Sequence, residues 1–495
     1  MDFNDTKEEA VFREEVKSWL KENASKGEKV GGRYDAIDVQ EDALSRARDW
    51  QAKKAEAGYA AITWPKEFGG LGGTAIQSVI YSQEEAKYNV PTGFFEIGLG
   101  MCIPTMMAWA TKEQNERFVK PALYGEEVWC QLFSEPSAGS DVAGVRTKAE
   151  KDGDDWIING QKVWTSGAHF SDFGIIVVRT DPNVAKHKGL SFFFLDMKSA
   201  GIEVKPIRQI SGGSNFNEVF FTDVRVPDSQ RLGDVGQGWK VALTTLMNER
   251  LAIGVPKSAD YSSLTRAAKE VDLNDEPAIK NDLVRSKIAD WYIQAEGLKY
   301  TKMRTLTALS KGETPGPESS IGKIVSAPKM QDLASFAMDL QGAAGIINDA
   351  EIALLHSIFQ SQWLSAAGYR IAGGTDEILR NIVAERVLGL PQDVRVDNKP
   401  HRMPVGLMAI DKQDNMLKER EIVNGVFGLA HIHNGHPLKK YGVTDVLFKT
   451  VSKRSIMIDF KNEKMIVGHP IPTDYTFRGK MHYGNNIMRM DVFIM

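Results

Sequence analysis

The feature that most constrains the fold is a change of hydrophobic period along the chain. Up to about residue 125, apolar residues recur every three to four positions, which is the period of an amphipathic helix. From about 128 to 228 the chain runs in short β-branched and aromatic stretches such as FGIIVVRT and LSFFFLDM, separated by turn residues. The helical period then returns until about residue 389. The chain is therefore expected to form helical, then β, then helical layers.

Composition excludes several classes of protein. A chain of 495 residues buries a large core without needing a metal or disulfides. Its net charge of −4 provides no basic field for nucleic acid, and no window approaches the roughly 18 apolar residues of a membrane span. The N-terminus reads as a helix that starts at a Thr6-x-x-Glu9 capping box rather than as a signal peptide. We expect a cytoplasmic protein in which Cys102 and Cys130 are free thiols.

The last fifth of the chain differs from the rest. Residues 396–495 hold 15 Lys and Arg against 10 Asp and Glu, a surplus of five that leaves −9 for residues 1–395. We therefore predict four segments, which are an N-terminal helical domain (1–125), a middle β domain (126–230), a C-terminal helical bundle (231–391) and an appended basic segment (392–495). The fold of the appended segment is unknown from the sequence, with a small α+β unit as one alternative.

Two segments of the β domain carry residues suited to a cofactor. In the first, 129–142, small and hydroxyl-bearing residues would let backbone N–H groups approach a polar ring or a phosphate, although an ordinary Gly/Ser/Pro turn has a similar composition. In the second, 160–168, Trp164 could lie on a flat cofactor while Ser166 hydrogen-bonds a ring nitrogen. Taken alone, a tryptophan in such a pattern is more often simply a core residue.

Two further segments carry candidate chemistry. Near residue 375, two glycines precede Thr375 as a helix N-cap, with Asp376 and Glu377 in the first turn. In the helix after Gly236, Glu249 follows one apolar stripe with Ala242, Leu246 and Ile253, so its carboxylate is expected to point inward. Burial would raise its pKa, which suits a general base, whereas the alternative is a solvated glutamate at the edge of the helix.

Together these segments resemble the flavin-binding signatures of the acyl-CoA dehydrogenase family over about residues 1–391. The resemblance implies an α+β fold with an N-terminal helical domain, a middle antiparallel β domain and a C-terminal four-helix bundle. It also implies FAD as cofactor, bound without a Rossmann G-x-G-x-x-G turn.

The resemblance assigns the cofactor contacts residue by residue. Trp164 would cover the isoalloxazine ring and Ser166 would lie near its N5 atom, while Ser140 would lie near the pyrophosphate. The full cofactor-binding set is Gln131, Phe133, Ser134, Gly139, Ser140, Trp164, Ser166, Gly342, Thr375 and Glu377.

The family's usual catalytic glutamate is missing from its Glu-Gly-Thr element, where this chain has Gly373. A branch that includes the long-chain and isovaleryl members has its glutamate on the earlier helix instead, and Met247–Leu251 resembles that stretch. The resemblance therefore implies Glu249 as the base and the Gly373 N–H as a donor to the thioester carbonyl. Arg250 and Gly374 would contact the substrate.

The function implied is FAD-dependent α,β-dehydrogenation of an acyl-CoA, with a bulky or branched acyl chain favoured. The expected partners are the acyl-CoA substrate, an electron acceptor such as an electron-transfer flavoprotein, and further copies in a homodimer or tetramer, with a paralogous subunit as an alternative. A flavin-dependent oxidase or oxygenase and a non-catalytic subunit remain alternative functions. Two departures from the family weaken its inter-subunit FAD contacts, because Glu270–Asp275 replaces an Arg-x-x-Phe-Gly stretch and Asp339 replaces a glutamine.

The appended segment matches no family. Ser455–Phe460 and Met465–Gly468 read as a hairpin, and Lys418–Val423 as the end of a short helix. His431, His433 and His436 have neither Cys nor acidic companions, so we interpret them as a polar loop and predict no metal site.

Overall fold

The protein is described here by a computed structural model, which covers residues 5–24, 41–91, 93–252, 259–310 and 316–392 and six strands between residues 427 and 493. The chain divides into two compact units, Met1–Asn398 and Lys399–Met495. None of the described helices combines the length and the apolar character that crossing a membrane requires.

The first unit begins with helices. The Thr6 capping box is confirmed, because the Glu9 N–H donates to Thr6 Oγ1 at 3.2 Å and the Thr6 N–H donates to Glu9 Oε2 at 2.7 Å. The apolar stripe of the first helix is buried against an aromatic cluster that includes Trp50 and Tyr81. The helices are α1 (Lys7–Asn23), α2 (Glu41–Glu56), α3 (Ala75–Glu85), α4 (Ile103–Trp109) and α5 (Lys112–Leu123).

A seven-stranded sheet follows. Its strands are β1 (Trp129–Leu132), β2 (Lys148–Asp152), β3 (Asp155–Ser166), β4 (Phe173–Arg179), β5 (Leu190–Asp196), β6 (Ile202–Ile207) and β7 (Phe216–Pro227). The strand order is β1-β4-β2-β3-β7-β6, with β5 also paired to β4. The expected antiparallel sheet needs one correction, because β1 runs parallel to β4 and β2 meets β4 in parallel at Lys148 and Arg179. The chain returns to β4 only after the β2–β3 hairpin, and this crossover permits parallel pairing.

The continuous apolar runs of β4 and β5 are explained by burial on both faces. Ile175 and Phe192 belong to a core shared with α4, α5 and the helix that follows the sheet, whereas Ile176 and Phe193 belong to a second core on the other face. Successive side chains of a strand point to opposite faces, so a strand buried on both sides is apolar throughout.

The C-terminal helices are α6 (Gly238–Ala252), α7 (Tyr261–Glu270), α8 (Asp282–Ser310), α9 (Ser320–Leu340), α10 (Ile358–Ile371) and α11 (Asp376–Arg386). Leu264, Trp291, Leu333 and Phe359, one from each of α7 to α10, share a buried core. The expected α+β fold with a helical bundle after the sheet is therefore confirmed. The stretch Glu270–Asp275, which departs from the family sequence, lies between α7 and α8. It includes a two-residue hairpin turn, with positive φ at Asn274 and Asp275, that joins β8 (Asp272–Leu273) to β9 (Glu276–Pro277).

The second unit contains only strands among its described residues. Four strands form an antiparallel sheet, in the order β10 (Phe427–His431), β11 (Asp445–Ser452), β12 (Ser455–Phe460) and β13 (Glu463–Gly468). A separate hairpin consists of β14 (Thr476–Tyr483) and β15 (Asn486–Phe493). The hairpin expected around residue 461 is present, because β12 pairs with β13 in antiparallel register. The predicted helix end at 418–423 and both His433 and His436 lie outside the described residues.

Candidate active site

The structure brings the two predicted flavin segments of the sheet together. The first leaves β1 at Leu132 and the second ends β3. The Val163 N–H donates to the Ser134 carbonyl at 2.9 Å, which joins the segments directly. Lys162 adds a second connection, since its buried Nζ donates to the Phe133 carbonyl at 3.1 Å and to Glu135 Oε1 at 2.9 Å. The two predicted flavin segments, about thirty residues apart in sequence, are therefore in direct contact.

Lys162 and Glu135 form a buried ion pair beneath these segments. The carboxylate also accepts the Arg146 N–H at 2.6 Å and the Thr147 N–H at 2.9 Å, and Lys162 donates to the Val177 carbonyl at 2.8 Å. Burial lowers the pKa of Lys162 to about 8, against the opposing effect of Glu135. Burial raises the pKa of Glu135, but the lysine and the backbone donors outweigh it and leave the pKa below its usual value. The two side chains are paired directly, with the Lys162 ammonium 2.9 Å from the Glu135 carboxylate.

Trp164 has an unusual backbone conformation. Its φ is +59°, and the register of β3 against β7 shifts between Lys162 and Thr165, which marks a β-bulge. A non-glycine residue in this region is strained by about 1–3 kcal/mol, and bulges redirect side chains near binding sites. The indole is 58% exposed and rests edge-on against Phe216 at 6.0 Å between ring centroids. Ser166, two residues on, is half-buried. Trp164 is thus not a core residue.

The loop after Glu135 presents small residues to solvent. Glu135 and Ala138 exchange two backbone hydrogen bonds of 2.9 and 3.0 Å, which close a tight turn. Gly139 and Ser140 are exposed, and Asp141 is paired with buried Lys186 at 2.9 Å. The far end of the loop is held by buried Arg179, which donates to backbone carbonyls within it. An exposed aromatic ring beside an anchored, hydroxyl-bearing loop fits a flavin with its phosphates.

The predicted carbonyl-binding turn lies between α10 and α11. Gly373 and Gly374 have φ of +65° and +95°, a conformation that side chains other than glycine rarely adopt. Thr375 is the N-cap of α11 as predicted, since its hydroxyl accepts the Ile378 N–H at 3.2 Å. Hydrogen bonding to the backbone N–H of Glu377 and to Thr375 lowers the pKa of the exposed Glu377 carboxyl.

Sequence reasoning missed the side chains that anchor this turn. Asp376 is a buried partner of Arg370, whose Nε donates to Asp376 Oδ2 at 2.7 Å and whose Nη1 donates to Gln331 at 3.1 Å. Lys323 of α9 donates to the carbonyls of both Ala372 and Gly374. Arg370 and Asp376 are only six residues apart, whereas Lys323 is 49 and 51 residues from its two acceptors. The only local signal for Lys323 was its position in the first turn of a helix, where the helix dipole disfavours a cation.

The backbone of Glu249 lies in α6, one turn beyond buried Thr245. The Thr245 hydroxyl lies 2.9 Å from that of Thr105 in α4, and Val241 and Ala242 are fully buried in the same contact. The side chains of Glu249 and Arg250 lie outside the described residues, so their roles stay predictions. The role of Gly342, exposed in the turn after α9 with φ of +56°, likewise stays a prediction.

A cavity of about 580 Å³ opens among α8, α9, α10 and α11. Its lining includes Gln294, Lys329, Trp363, Arg370 and Arg380. None of the residues predicted from the sequence lines this cavity, but Arg370 and Gln331, which anchor the turn before α11, do.

Comparison with known proteins identifies the class. Residues 6–126, 130–224 and 236–388 match the N-terminal, middle and C-terminal domain models of acyl-CoA dehydrogenases. The chain belongs to the acyl-CoA dehydrogenase family. It is therefore an FAD-dependent oxidoreductase that acts on acyl-CoA thioesters, and the exposed indole and anchored loop fit that cofactor.

Several relatives are similar over most of this body. Acyl-CoA dehydrogenase IpdE1 of Mycolicibacterium smegmatis is 36% identical over 405 residues, which cover 78% of this chain and 98% of the relative. Acyl-CoA dehydrogenase FadE34 of Mycobacterium tuberculosis is 37% identical over 69% of this chain and 46% of its own length.

Solved structures show the same fold. A structure titled "Tcur3481-Tcur3483 steroid ACAD" aligns with a TM-score of 0.66 at 25% identity, over 79% of this chain and all of that one. The ChsE4-ChsE5 complex of Mycobacterium tuberculosis aligns with a TM-score of 0.64 at 26% identity, again over 79% of this chain and all of that one.

Proposed function

We propose that the protein catalyses α,β-dehydrogenation of a bulky or branched acyl-CoA, with Glu249 as the base. The observation that carries the proposal is the absence of a carboxylate from the turn at Gly373, together with a glutamate at position 249 of α6. One carboxylate must remove the α proton, and in this family it can be supplied from either of these two elements.

Different residues carry out different parts of the proposed reaction. Glu249 removes the α proton, and the Gly373 N–H donates to the thioester carbonyl as enolate charge develops on its oxygen. Trp164 and Ser166 would hold the flavin ring, and Gln131, Phe133 and Ser134 would line its pyrimidine edge. Gly139 and Ser140 would lie near its phosphates. Bound FAD would supply the acceptor for the hydride that leaves the β carbon.

The preference for a bulky acyl chain rests on similarity. A structure at 25% identity is described as a steroid acyl-CoA dehydrogenase, and the motifs of this chain resemble bacterial branches that handle bulky substrates. We expect the site to accept ring-bearing or branched acyl-CoAs in preference to short straight ones.

The assembly proposed is a dimer or tetramer, with either identical or paralogous partners. The titles of two similar structures name pairs of proteins, and an electron-transfer flavoprotein is the proposed electron acceptor.

The substrate test is an anaerobic titration of the purified yellow protein with straight, branched and steroid-type acyl-CoAs. Bleaching of the flavin by the bulky thioesters, with slow reoxidation in air, is the expected result. Rapid peroxide formation would identify an oxidase instead, and a colourless protein that binds no FAD would identify a non-catalytic subunit.

The base is tested with Glu249→Gln. Replacing a positioned general base typically lowers the rate by about 10²–10⁴-fold, so kcat should fall by that factor while FAD stays bound. Near wild-type turnover in this variant would exclude Glu249 as the base. Glu377→Gln, an acidic side chain at a predicted cofactor contact rather than at the reacting carbon, is the matched comparison and should mainly weaken FAD binding.

A further inference from the structure

We infer that Lys323 is a positioning residue that aims the Gly373 N–H at the substrate carbonyl. This inference rests on the proposed function, in which that N–H stabilises the developing enolate. Lys323 lies in α9, some fifty residues before the turn, and does not itself belong to the predicted site.

The contacts of Lys323 define the turn on both sides of Gly373. Its ammonium donates to the carbonyl of Ala372, the C-cap of α10, and to the carbonyl of Gly374, just before the N-cap of α11. Gly373 therefore lies between two carbonyls that are bound by the same cation.

Because the peptide bond is planar, these contacts also fix the direction of the Gly373 N–H. The peptide bonds here are trans, so the Ala372 carbonyl and the Gly373 N–H belong to one plane and point in opposite directions. Fixing the carbonyl on Lys323 fixes the N–H on the opposite side. The Gly374 carbonyl orients the Thr375 N–H in the same manner, and Thr375 is a predicted flavin contact.

The backbone at this turn needs such a support. Both glycines have positive φ, and glycine has the largest conformational freedom to lose on folding. An ammonium on the carbonyl side also polarises the peptide, which strengthens its N–H as a donor.

The electrostatics of the helices agree with this assignment. A cation in the first turn of α9 is opposed by that helix's own dipole, whereas the C-terminus of α10 attracts it. The ion pair between Arg370 of α10 and Asp376 of α11 also connects the two helices that flank the turn, at 2.7 Å. The turn is thus held at two points, and Lys323 is the one that contacts its carbonyls.

The test compares Lys323→Met with Lys323→Arg, which keeps a cation and several donors, and with Lys329→Met, a matched loss of a lysine on the same helix. Two measurements are made. The first is amide hydrogen exchange of the segment 371–377 in the protein as isolated. The second is the pH at which a bound 3-oxoacyl-CoA ionises to its enolate, followed by ultraviolet absorbance.

We expect Lys323→Met to exchange faster across the turn and to ionise the bound thioester about one pH unit higher, a tenfold loss of enolate stabilisation. Its kcat should fall by roughly ten- to a hundredfold, less than for complete removal of a donor, with little change in KM. Lys323→Arg should recover most of both effects, and Lys329→Met should resemble the wild type.

Unchanged exchange and unchanged ionisation in Lys323→Met would overturn the inference, as would an equal shift in Lys329→Met. If Lys323→Met does not fold, Lys323→Gln, which keeps a donor but neither the charge nor the reach, gives the same comparison. Failure of the proposed function has a different signature, because the wild type would then not promote enolate formation while the exchange measurement still decides whether Lys323 holds the turn.

Discussion

At the scale of single residues, Lys162 connects the two flavin segments through a buried ion pair with Glu135. Breaking such a pair by removing one member typically costs about 3–5 kcal/mol, because the remaining charge is left without compensation. Lys162→Met should therefore lower the free energy of unfolding at pH 7 by about that amount, as measured by denaturant titration. The double variant Lys162→Met/Glu135→Leu should recover a large part of the loss, and failure to recover would show that the pair is not a unit.

The pH dependence of this pair has a definite sign. In the wild type the pKa of Glu135 is lowered, so its contribution to stability is present above its usual value of 4.5 and is lost as the pH falls through that region. In Lys162→Met, burial dominates and raises the same pKa, so the isolated carboxylate is destabilising at neutral pH and is relieved by protonation. The stability difference between the two proteins should shrink between pH 7 and about pH 4. A difference that is constant with pH would contradict this account.

Trp164 offers a direct measure of stored strain. Trp164→Ala and Trp164→Gly both remove the indole, but only glycine adopts a φ of +59° without penalty. Trp164→Gly should therefore be the more stable variant by about 1 kcal/mol, offset in part by the greater freedom of glycine in the unfolded chain. Thermal unfolding of the two apo-proteins measures the difference, and equal stability would mean that the strain at Trp164 does not exceed the entropic cost of glycine. Both variants should bind FAD more weakly.

At the scale of elements, two helices begin with the same device but differ in function. Thr6 caps α1 and Thr375 caps α11, each accepting an N–H at 3.2 Å. Thr6→Ala and Thr375→Ala should each lower the free energy of unfolding by about 1 kcal/mol. Only Thr375→Ala should also weaken FAD binding, as measured by flavin fluorescence. An equal effect of both on FAD would remove Thr375 from the predicted cofactor contacts.

These elements also show which features local sequence can predict. A cap depends on residues three positions apart, so Thr6 with Glu9 and Thr375 with Ile378 were predictable. The parallel pairing of β1 with β4 was not, because it depends on which distant strand lies alongside. Lys323 escaped prediction for the same reason, since it reaches the carbonyls of Ala372 and Gly374 only through the packing of α9 against the turn.

At the scale of the whole molecule, the chain consists of an acidic enzyme body and a basic appended unit. The family models end at residue 388, and the two compact units divide after Asn398. A variant ending at Asn398 should fold and bind FAD, because the body has its own cores. Its flavin content and thermal midpoint should match those of the full chain. Loss of FAD on truncation would show that the appended unit contributes to the body.

The sequence by itself determined the order of helix, sheet and helix, the family, and the positions at which the cofactor is expected. It could do so because hydrophobic periodicity and signature motifs depend on residues that are close together in the chain. Only the tertiary structure decided that the two flavin segments touch through Lys162 and Glu135, that Trp164 is exposed on a strained bulge, and that Lys323 holds the turn at Gly373. Each of these features depends on contacts between residues that are far apart in the chain. Such contacts are determined by tertiary packing, so local sequence patterns do not predict them.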